Sequence, residues 1–215
     1  MGMNETSQTW VGSLGVLGTL KKYEAGETIF FQNEYAKIVG FISSGRAVAR
    51  VYSKQGQETW IGGFYVGDFL GHAALLTNTP IGFEVTASVE TQVLQIPVPE
   101  FQNLLSANTE LAEAVARDLA LRLNMMTTRL VEAITLSAPG RVCAELMRLS
   151  TRVGVEPMMS IVRPNPIFSE LALRVSSTRE TVSRTVSDLV KDGVLKRETG
   201  ALLILQPEEL KLRIK

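Results

Sequence analysis

A polar stretch near the C-terminal end of the sequence contains residue types that hydrogen-bond the bases of DNA. Residues 177–190 read STRETVSRTVSDLV. Arginine presents two parallel donors to the O6 and N7 acceptors of guanine, and a carboxylate accepts from the N4 amino group of cytosine. Hydroxyl groups at the start of such a segment can reach phosphate oxygens. The candidate contacts are Arg179 and Arg184 with guanine, Glu180 with cytosine, Thr178 and Thr181 with phosphates, and Ser183 beside them.

The spacing within this stretch predicts a helix with two different faces. At about 100° per residue, Val182, Val186 and Leu189 fall within an arc of about 60°. A separate arc of about 100° is polar and contains Glu180, Ser183, Arg184 and Ser187. Arg179 lies at the boundary of the two arcs, but in the first turn, where a helix end can protrude. The alternative is a solvated helix in which residues 177–180 act only as a capping box.

The flanking segments favour the DNA-binding interpretation. Asn165-Pro166 is a strong helix start, so a short helix is predicted over Ile167–Arg174, followed by a turn at Val175-Ser176. Two helices joined by a tight turn form a helix-turn-helix, whose second helix fits the major groove. After Gly193, the apolar runs 194–197 and 202–205 are separated by Gly200 and predict a β-hairpin wing.

The first hundred residues predict a compact antiparallel roll or barrel. Short apolar runs alternate with breaks at Gly26, Gly45, Gly56 and Gly67, where glycine adopts a positive φ angle most readily. The polar pairs Ser44-Gly45 and Gln55-Gly56 are predicted to be hairpin turns. The predicted strands are Thr28–Phe31, Ile38–Ile42, Ala47–Tyr52, Thr59–Phe64, Val85–Ser88 and Val93–Ile96, and Pro97 and Pro99 end the sheet.

A helix-forming stretch without glycine or proline follows, from Glu100 to Ala138. Its apolar residues recur at spacings of three and four and form one stripe. The stripe consists of Leu111, Val115, Leu119, Leu123, Met126, Leu130 and Ile134. We expect much of it to pack against the same helix of a second chain, because roughly six to seven turns exceed what a small roll can cover. The alternative is a helix packed wholly within one subunit.

Pro139-Gly140 is expected to end this long helix. A second helix is predicted over Arg141–Thr151.

Composition excludes several classes of protein. The chain has 215 residues, 45% of them hydrophobic, and a single cysteine, Cys143, which excludes an intramolecular disulfide, an iron–sulfur cluster and a multi-cysteine zinc site. No long apolar run or signal-peptide pattern is present, so we expect a cytoplasmic protein without membrane contact. Residues 1–138 contain 9 Lys+Arg and 13 Asp+Glu, whereas residues 139–215 contain 13 and 9. The basic C-terminal part is therefore the one expected to meet phosphates.

Two motifs resemble the cyclic-AMP receptor protein/FNR (Crp/Fnr) superfamily of bacterial transcription regulators. RETVSR at 179–184 is similar to its recognition-helix signature, and GDFLG at 67–71 to the glycine-rich start of its sensor cassette. The resemblance implies an α+β fold: a cyclic-nucleotide-binding-like jelly roll over 1–108, a dimerisation helix over 109–138, and a winged helix-turn-helix over 139–215. It also implies a homodimer on a palindromic operator that recruits or obstructs RNA polymerase.

The same resemblance bears on which bases are read. Arg179, Glu180 and Arg184 are similar to the branch that reads TGTGA-like half-sites. Glu180, Ser183 and Arg184 also fit the branch that reads TTGAT-like ones, and Arg179 favours the former. Ile167 and Phe168 depart from the family, because many members carry polar groups where the first helix starts, so one phosphate contact is expected to be missing.

The sensor segment departs from cyclic-nucleotide-binding relatives. After Gly71, His72 stands where those relatives carry a glutamate, and Ile81 and Gly82 stand where they carry an Arg-Ser pair. Burying a phosphate without a cation or aligned donors is costly, so we do not expect cyclic AMP to bind in the usual mode. Arg122 and Thr127 match pocket residues of the family, which leaves room for a different polar effector.

Other chemistries find less support. One family branch senses gas through haem bound by a nearby histidine, but His72 is the only histidine and no second ligand is evident, so a structural histidine is expected. Cys143 is expected to be a buried apolar residue rather than a redox switch. No P-loop, metal-ligand cluster or catalytic constellation is present, so we do not expect an enzyme. The rival interpretation is a ligand-binding module whose C-terminal domain makes protein contacts.

Overall fold

The computed structural model describes residues 14–53, 55–56, 58–153 and 159–215. The chain divides into two compact units, an N-terminal one that ends at Met125 and a C-terminal one that starts at Met126. None of the described helices is both long enough and apolar enough to cross a membrane.

Two four-stranded antiparallel sheets form the N-terminal unit. Their orders are β1-β8-β3-β6 and β2-β7-β4-β5. The strands are β1 Thr19–Tyr23, β2 Thr28–Phe30, β3 Ile38–Ser44, β4 Arg46–Tyr52, β5 Glu58–Tyr65, β6 Phe69–Leu70, β7 Glu84–Ala87 and β8 Thr91–Pro97. The predicted antiparallel roll is confirmed, and each of the predicted strands is present. The short strands β1 and β6 were not predicted.

One of the two predicted hairpin turns is present and the other is wrong. Gln55-Gly56 lies between the paired strands β4 and β5, and Gly56 has φ +78°. Ser44-Gly45 does not close a hairpin, because β3 and β4 belong to different sheets. The chain crosses between the sheets there. At Gly45, φ is +82° and a Cβ would lie 2.3 Å from the carbonyl oxygen of Glu90, so only glycine fits.

The described helices that follow the start of the roll are α1 His72–Thr77, α2 Val98–Ala107 and α3 Thr109–Thr135, and residues 14–17 are also helical. The prediction of one uninterrupted helix from Glu100 to Ala138 is wrong, because Asn108 has an extended backbone (φ −128°, ψ 102°) and separates α2 from α3. Its Oδ1 atom accepts from the backbone N–H of Leu111 at 2.9 Å. Asn108 thus caps the start of α3, and the side chain satisfies a donor that the helix itself cannot.

The apolar stripe of α3 divides into a covered and an uncovered part. Leu111 and Val115 are 0% and 3% exposed and pack with Phe101 in the core of the N-terminal unit. Assigning these two residues to an interface between subunits is therefore wrong, since their own subunit covers them. Leu119 packs partly against the same core. The exposed remainder of the stripe consists of Leu123, Met126, Leu130 and Ile134.

The described part of the C-terminal unit, 126–153 and 159–215, contains a four-stranded antiparallel sheet and four helices after α3. The sheet has the order β11-β12-β10-β9. Its strands are β9 Thr151–Val153, β10 Met159–Val162, β11 Leu195–Glu198 and β12 Ala201–Ile204, and the helices are α4 Ala138–Leu149, α5 Phe168–Arg174, α6 Arg179–Lys191 and α7 Pro207–Leu212. The helix-turn-helix (α5–α6) and its wing (β11–β12) are present as predicted.

Two predicted helix starts in this unit need correction. Helix α4 begins at Ala138 rather than Arg141, because the Ser137 hydroxyl accepts from the N–H of Gly140 at 3.2 Å and Pro139-Gly140 lie in the first turn. Helix α5 begins at Phe168, after Ile167, with no side-chain cap. Asn165 does not cap it, and its N–H donates instead to the carbonyl oxygen of Gly200 at 2.9 Å. That bond ties the entry of α5 to the wing.

Candidate nucleic-acid interface and sensor cluster

Helix α6 has one buried and one exposed face. Val182 and Val186 are 0% exposed and Leu189 is 2% exposed, in the apolar core of the C-terminal unit. Arg179, Glu180 and Arg184 are exposed and Ser183 is partly exposed. Neither guanidinium forms a hydrogen bond or an ion pair with another described residue. Both therefore keep their donors available for an external acceptor.

The first turn of α6 is fixed by two threonines. Thr178 is the N-cap, and its Oγ1 atom accepts from the N–H of Thr181 at 3.2 Å. The two hydroxyl oxygens lie 3.1 Å apart, so one of the two hydroxyls donates a hydrogen bond to the other. The cap is one residue later than the predicted capping box over 177–180. Because part of their hydrogen-bonding capacity is used locally, Thr178 and Thr181 can offer fewer bonds to phosphates than free hydroxyls would.

The carboxylate of Glu180 is stabilised in its charged form. Its own backbone N–H lowers the pKa of Glu180 most, followed by the Thr178 hydroxyl and the positive charge of Arg179. A carboxylate in the first turn of a helix also interacts favourably with the helix dipole. Glu180 is therefore an acceptor at neutral pH, as hydrogen bonding to a cytosine N4 amino group requires.

The turn between α5 and α6 is held by an arginine from outside both helices. Ser176 adopts φ +48°, which is uncommon for a residue other than glycine. The Nε and Nη2 atoms of Arg141 donate to the carbonyl oxygens of Val175 (2.8 Å) and Ser176 (3.2 Å). Its Nη1 atom donates to the carbonyl oxygen of Leu136 at 2.9 Å. One side chain of α4 thus positions the turn that presents α6.

The wing is linked to both helices of the motif through Arg197. Its Nη2 atom donates to the Ser187 hydroxyl at 3.3 Å, and its guanidinium lies 5.9 Å from the centre of the Phe168 ring. Phe168 packs partly on the core, whereas Ile167 is 60% exposed. The start of α5 thus offers an apolar side chain to solvent, in line with the expected missing phosphate contact.

A charged cluster occupies the N-terminal unit beside α1. The Nε2 atom of His72 lies 2.9 Å from the Oδ2 atom of Asp118, and Arg122 Nε donates to the same oxygen at 2.8 Å. An Nη2 atom of Arg122 lies 3.3 Å from Asp68 Oδ2, and the guanidinium stacks 4.2 Å from the centre of the Phe64 ring. We call Asp68, His72, Asp118 and Arg122 the sensor cluster.

The two carboxylates of the sensor cluster have opposite pKa shifts. Burial raises the pKa of Asp118, but hydrogen bonds from His72 and Arg122 outweigh burial, so the pKa lies below its ordinary value. Burial also raises the pKa of Asp68, and there the N–H of Tyr65 and the charge of Arg122 do not compensate. Asp118 is thus the principal counter-ion of Arg122 and accepts a hydrogen bond from His72.

The other predicted pocket residues are dispersed. Gly71 has φ +77° and precedes α1, and His72 is only 2% exposed. Ile81 is 3% exposed in the core, whereas Gly82 has open space around its Cα atom. Thr127 belongs to the part of α3 assigned to the C-terminal unit. Among the described residues, no group of three or more His, Cys, Asp or Glu side chains could hold a metal ion.

Two family models match the chain over most of its length. The cyclic nucleotide-binding domain matches residues 20–108, and the Crp-like helix-turn-helix domain matches residues 140–213. The chain belongs to the Crp/Fnr superfamily. It is a DNA-binding transcription regulator of this family, and the curated relatives that it matches are regulators rather than enzymes.

Crp/Fnr relatives match at modest identity over nearly the full chain. The CRP-like cAMP-activated global transcriptional regulator of Mycobacterium tuberculosis is 24% identical over 192 residues, which is 89% of this chain and 86% of the relative. The cAMP-activated regulator Vfr of Pseudomonas aeruginosa is 25% identical over 179 residues, with 81% and 84% coverage. Both names describe those proteins' own effector.

Solved Crp/Fnr structures share the fold. A CooA mutant from Carboxydothermus hydrogenoformans has a TM-score of 0.82 and 21% identity, with 95% of this chain and 90% of that chain covered. The c-di-GMP-responsive regulator CLP of Xanthomonas campestris has a TM-score of 0.78 and 20% identity, with 92% and 98% covered. At this identity the likeness concerns the fold alone.

Sequence reasoning about this Crp/Fnr protein missed the residues that hold the interface and the sensor cluster in place. Asp118 and Arg122 are four residues apart on one helix, a spacing that favours an ion pair and could have been noticed. No comparable signal connects His72 with Asp118 or Arg141 with Ser176, because these contacts join segments far apart in the chain.

Proposed function

We propose that this regulator acts in the cytoplasm as a homodimer on a palindromic operator with TGTGA-like half-sites. The proposal depends on one observation: Arg179, Glu180 and Arg184 are all exposed on α6. Glu180 and Arg184 lie opposite the buried Val182 and Val186, and Arg179 lies in the first turn at the boundary of the two faces. One α6 would enter the major groove of each half-site and hydrogen-bond guanine and cytosine. By family resemblance, the bound dimer would recruit or obstruct RNA polymerase.

The dimer is proposed from the uncovered part of the α3 stripe. Leu130 and Ile134 are 61% and 74% exposed, and Met126 is 44% exposed. Apolar side chains at helical spacing along a single face are costly in water and are covered when two such helices pair about a twofold axis. A twofold axis also matches the symmetry of a palindromic operator.

The effector is proposed to differ from cyclic AMP bound in the usual mode. Arg122, the guanidinium expected to face an effector, already pairs with Asp118 and Asp68. An incoming phosphate would have to displace these carboxylates and would be repelled by them. Ile81 and Gly82 provide no cation in compensation. The roll therefore responds to an effector of other chemistry or to none.

Binding to synthetic duplexes tests the proposal. Fluorescence anisotropy would compare a TGTGA inverted repeat with a TTGAT inverted repeat and a scrambled duplex, at two salt concentrations. We expect the first duplex to bind tightest and the affinity to fall steeply with salt, because neutralised phosphates release counterions. Binding that depends on neither sequence nor salt would favour the rival interpretation, in which the C-terminal domain contacts protein.

A matched pair of variants tests the dimer by sedimentation. Leu130→Glu places like charges across the proposed interface, whereas Leu121→Glu changes a residue of similar exposure (58% against 61%) on the opposite side of α3, about 180° away. Sedimentation should find monomers for Leu130→Glu and dimers for Leu121→Glu. Equal masses for the two variants would contradict the proposed interface.

A further inference from the structure

A buried carboxylate lies where the end of α3 meets the helix-turn-helix. Glu145 on α4 is 0% exposed. A buried glutamate normally has a charged partner, and Glu145 has three. Its oxygens accept from Arg129 Nη2 at 3.1 Å and from Arg174 Nη1 at 3.3 Å. A third hydrogen bond comes from Arg148 Nη1, whose Nη2 atom also bonds Glu132 at 2.5 Å. We call Arg129, Glu132, Glu145, Arg148 and Arg174 the polar joint.

The polar joint connects α3 with α4 and α5. Arg129 and Glu132 lie on α3, Glu145 and Arg148 on α4, and Arg174 at the end of α5. Arg129 also donates to the carbonyl oxygen of Arg174 at 3.3 Å. Among the described residues, the apolar cluster of the C-terminal unit contains side chains from α4, α5 and α6 but none from α3.

A buried ionic network is a strict constraint on geometry. Glu145 has lost its water, so a shift of about 1 Å that breaks one of its hydrogen bonds leaves a charge in a poor environment. An apolar contact would tolerate the same shift with little loss, because hydrophobic attraction is not directional. The polar joint is therefore a better means of fixing an angle between helices than of adding stability.

We propose that the polar joint sets the half-site spacing that the dimer accepts, with Glu145 and Arg129 as its positioning residues. This inference rests on the proposed dimer. If α3 pairs about the twofold axis, the joint fixes the orientation of α5, and with it α6, relative to that axis. Adding two base pairs between half-sites moves the second one by about 7 Å and rotates it by about 70°. A fixed joint cannot follow such a change.

The test measures spacing preference rather than affinity alone. Duplexes would carry the same two half-sites at the optimal separation or with two base pairs added or removed, and the ratio of Kd values defines the discrimination. Arg129→Met removes the direct hydrogen bonds from α3 to Glu145 and to the carbonyl oxygen of Arg174. It keeps Arg174 and Arg148 on Glu145 and leaves the Arg148–Glu132 pair in place. Arg213→Met is the control, since it removes an equal charge and an ion pair with Asp192 (2.6 Å) elsewhere in the same unit.

We expect Arg129→Met to reduce the discrimination about tenfold, while affinity for a single half-site stays within about twofold of the parent. Glu145→Gln should reduce it at least as much, and Arg129→Met keeps the test valid if Glu145→Gln does not fold. Arg213→Met should discriminate like the parent protein.

Two results would overturn the inference. One is a folded Arg129→Met protein whose discrimination between spacings is unchanged, whatever its melting temperature. The polar joint would then contribute only to stability. The other is a parent protein that binds all spacings equally well. A parent protein that binds no duplex at all would instead contradict the proposed function, so the two failures can be distinguished.

Discussion

In the N-terminal unit the guanidinium of Arg122 is held by Asp118 and Asp68, whereas on α6 the guanidinium of Arg184 bonds no other described residue. The side chains are chemically identical, but only the second is available to a ligand. Arg122 is also stacked on Phe64 and only 24% exposed. The comparison teaches that a family-matched arginine indicates binding only when its own chain leaves it unpaired.

The same difference separates the carboxylates of the two regions. Asp118 pairs with groups of its own unit, and Arg122 Nε and His72 Nε2 lie 2.8 Å and 2.9 Å from its Oδ2 atom. Glu180 bonds only its own helix turn and faces solvent. Substitutions in the sensor cluster should therefore change the stability of the fold, and substitutions on α6 should change DNA binding.

The largest expected effect is that of Asp118→Asn on stability. Removing this carboxylate leaves the largely buried Arg122 without its main counter-ion and the buried His72 without the carboxylate that its Nε2 atom contacts. We therefore expect a loss of about 3 kcal/mol in the free energy of unfolding. Urea unfolding followed by tryptophan fluorescence reports on the correct unit, because Trp60 belongs to it and residues 126–215 contain no tryptophan.

The control for this change is Glu90→Gln, which removes a solvent-exposed ion pair with Lys22 (2.8 Å) in the same unit. Its expected cost is much smaller, because a solvent-exposed ion pair contributes little to stability. Because the pKa of Asp118 is lowered in the folded protein, its stabilisation is present above the ordinary pKa of about 3.9 and is lost as the pH falls further. The stability difference between parent and Asp118→Asn should therefore shrink below about pH 3.9, and a constant difference would contradict the pairing.

A smaller effect is expected for Arg179→Ala. Loss of its contact with guanine should weaken binding to the TGTGA repeat by about 1–3 kcal/mol and relax the preference at one base pair of each half-site. The free energy of unfolding should change little, since the side chain forms no hydrogen bond or ion pair with another described residue. An equal loss on the scrambled duplex would show that Arg179 touches only the DNA backbone.

The smallest effect is expected for pH acting on Glu180. Its lowered pKa means that the carboxylate is already ionised well below neutrality, so discrimination at its base pair should be the same at pH 6 and pH 8. Anisotropy with duplexes that differ at this base pair measures the discrimination. Glu180→Gln should weaken it equally at both pH values, and a pH-dependent preference would place another group at that base.

Periodicity alone was sufficient to predict the faces of α6. Val182, Val186 and Leu189 are buried and Arg184 is exposed because a regular helix fixes the angle between residues. The strands of the roll were predictable for a similar reason, since glycines mark where apolar runs end. Both signals depend only on residues close together in the chain, so they can be read without knowing the tertiary contacts.

Contacts between distant segments could not be predicted in this way. The apolar stripe of α3 is continuous in the sequence, yet only part of it is buried. Leu111 packs with Phe101 in the core of its own unit, whereas Leu130 is exposed. Asn108 interrupts the predicted helix, although that stretch contains neither glycine nor proline. Asparagine is a common N-cap residue, so a helix can also be divided at such a position. In the polar joint, Arg129 contacts Glu145 and Arg174, and no periodic pattern in the sequence predicts contacts at these separations along the chain.

The bonds of Arg141 have a consequence for protein engineering. The carbonyl oxygens of Val175 and Ser176 depend on a guanidinium that the two-helix segment does not itself contain. A chimera that transplants only 168–191 into another scaffold would lose that support at the bend. Exchange of DNA specificity between regulators should therefore move α4 together with the reading helices, or replace side chains on α6 alone.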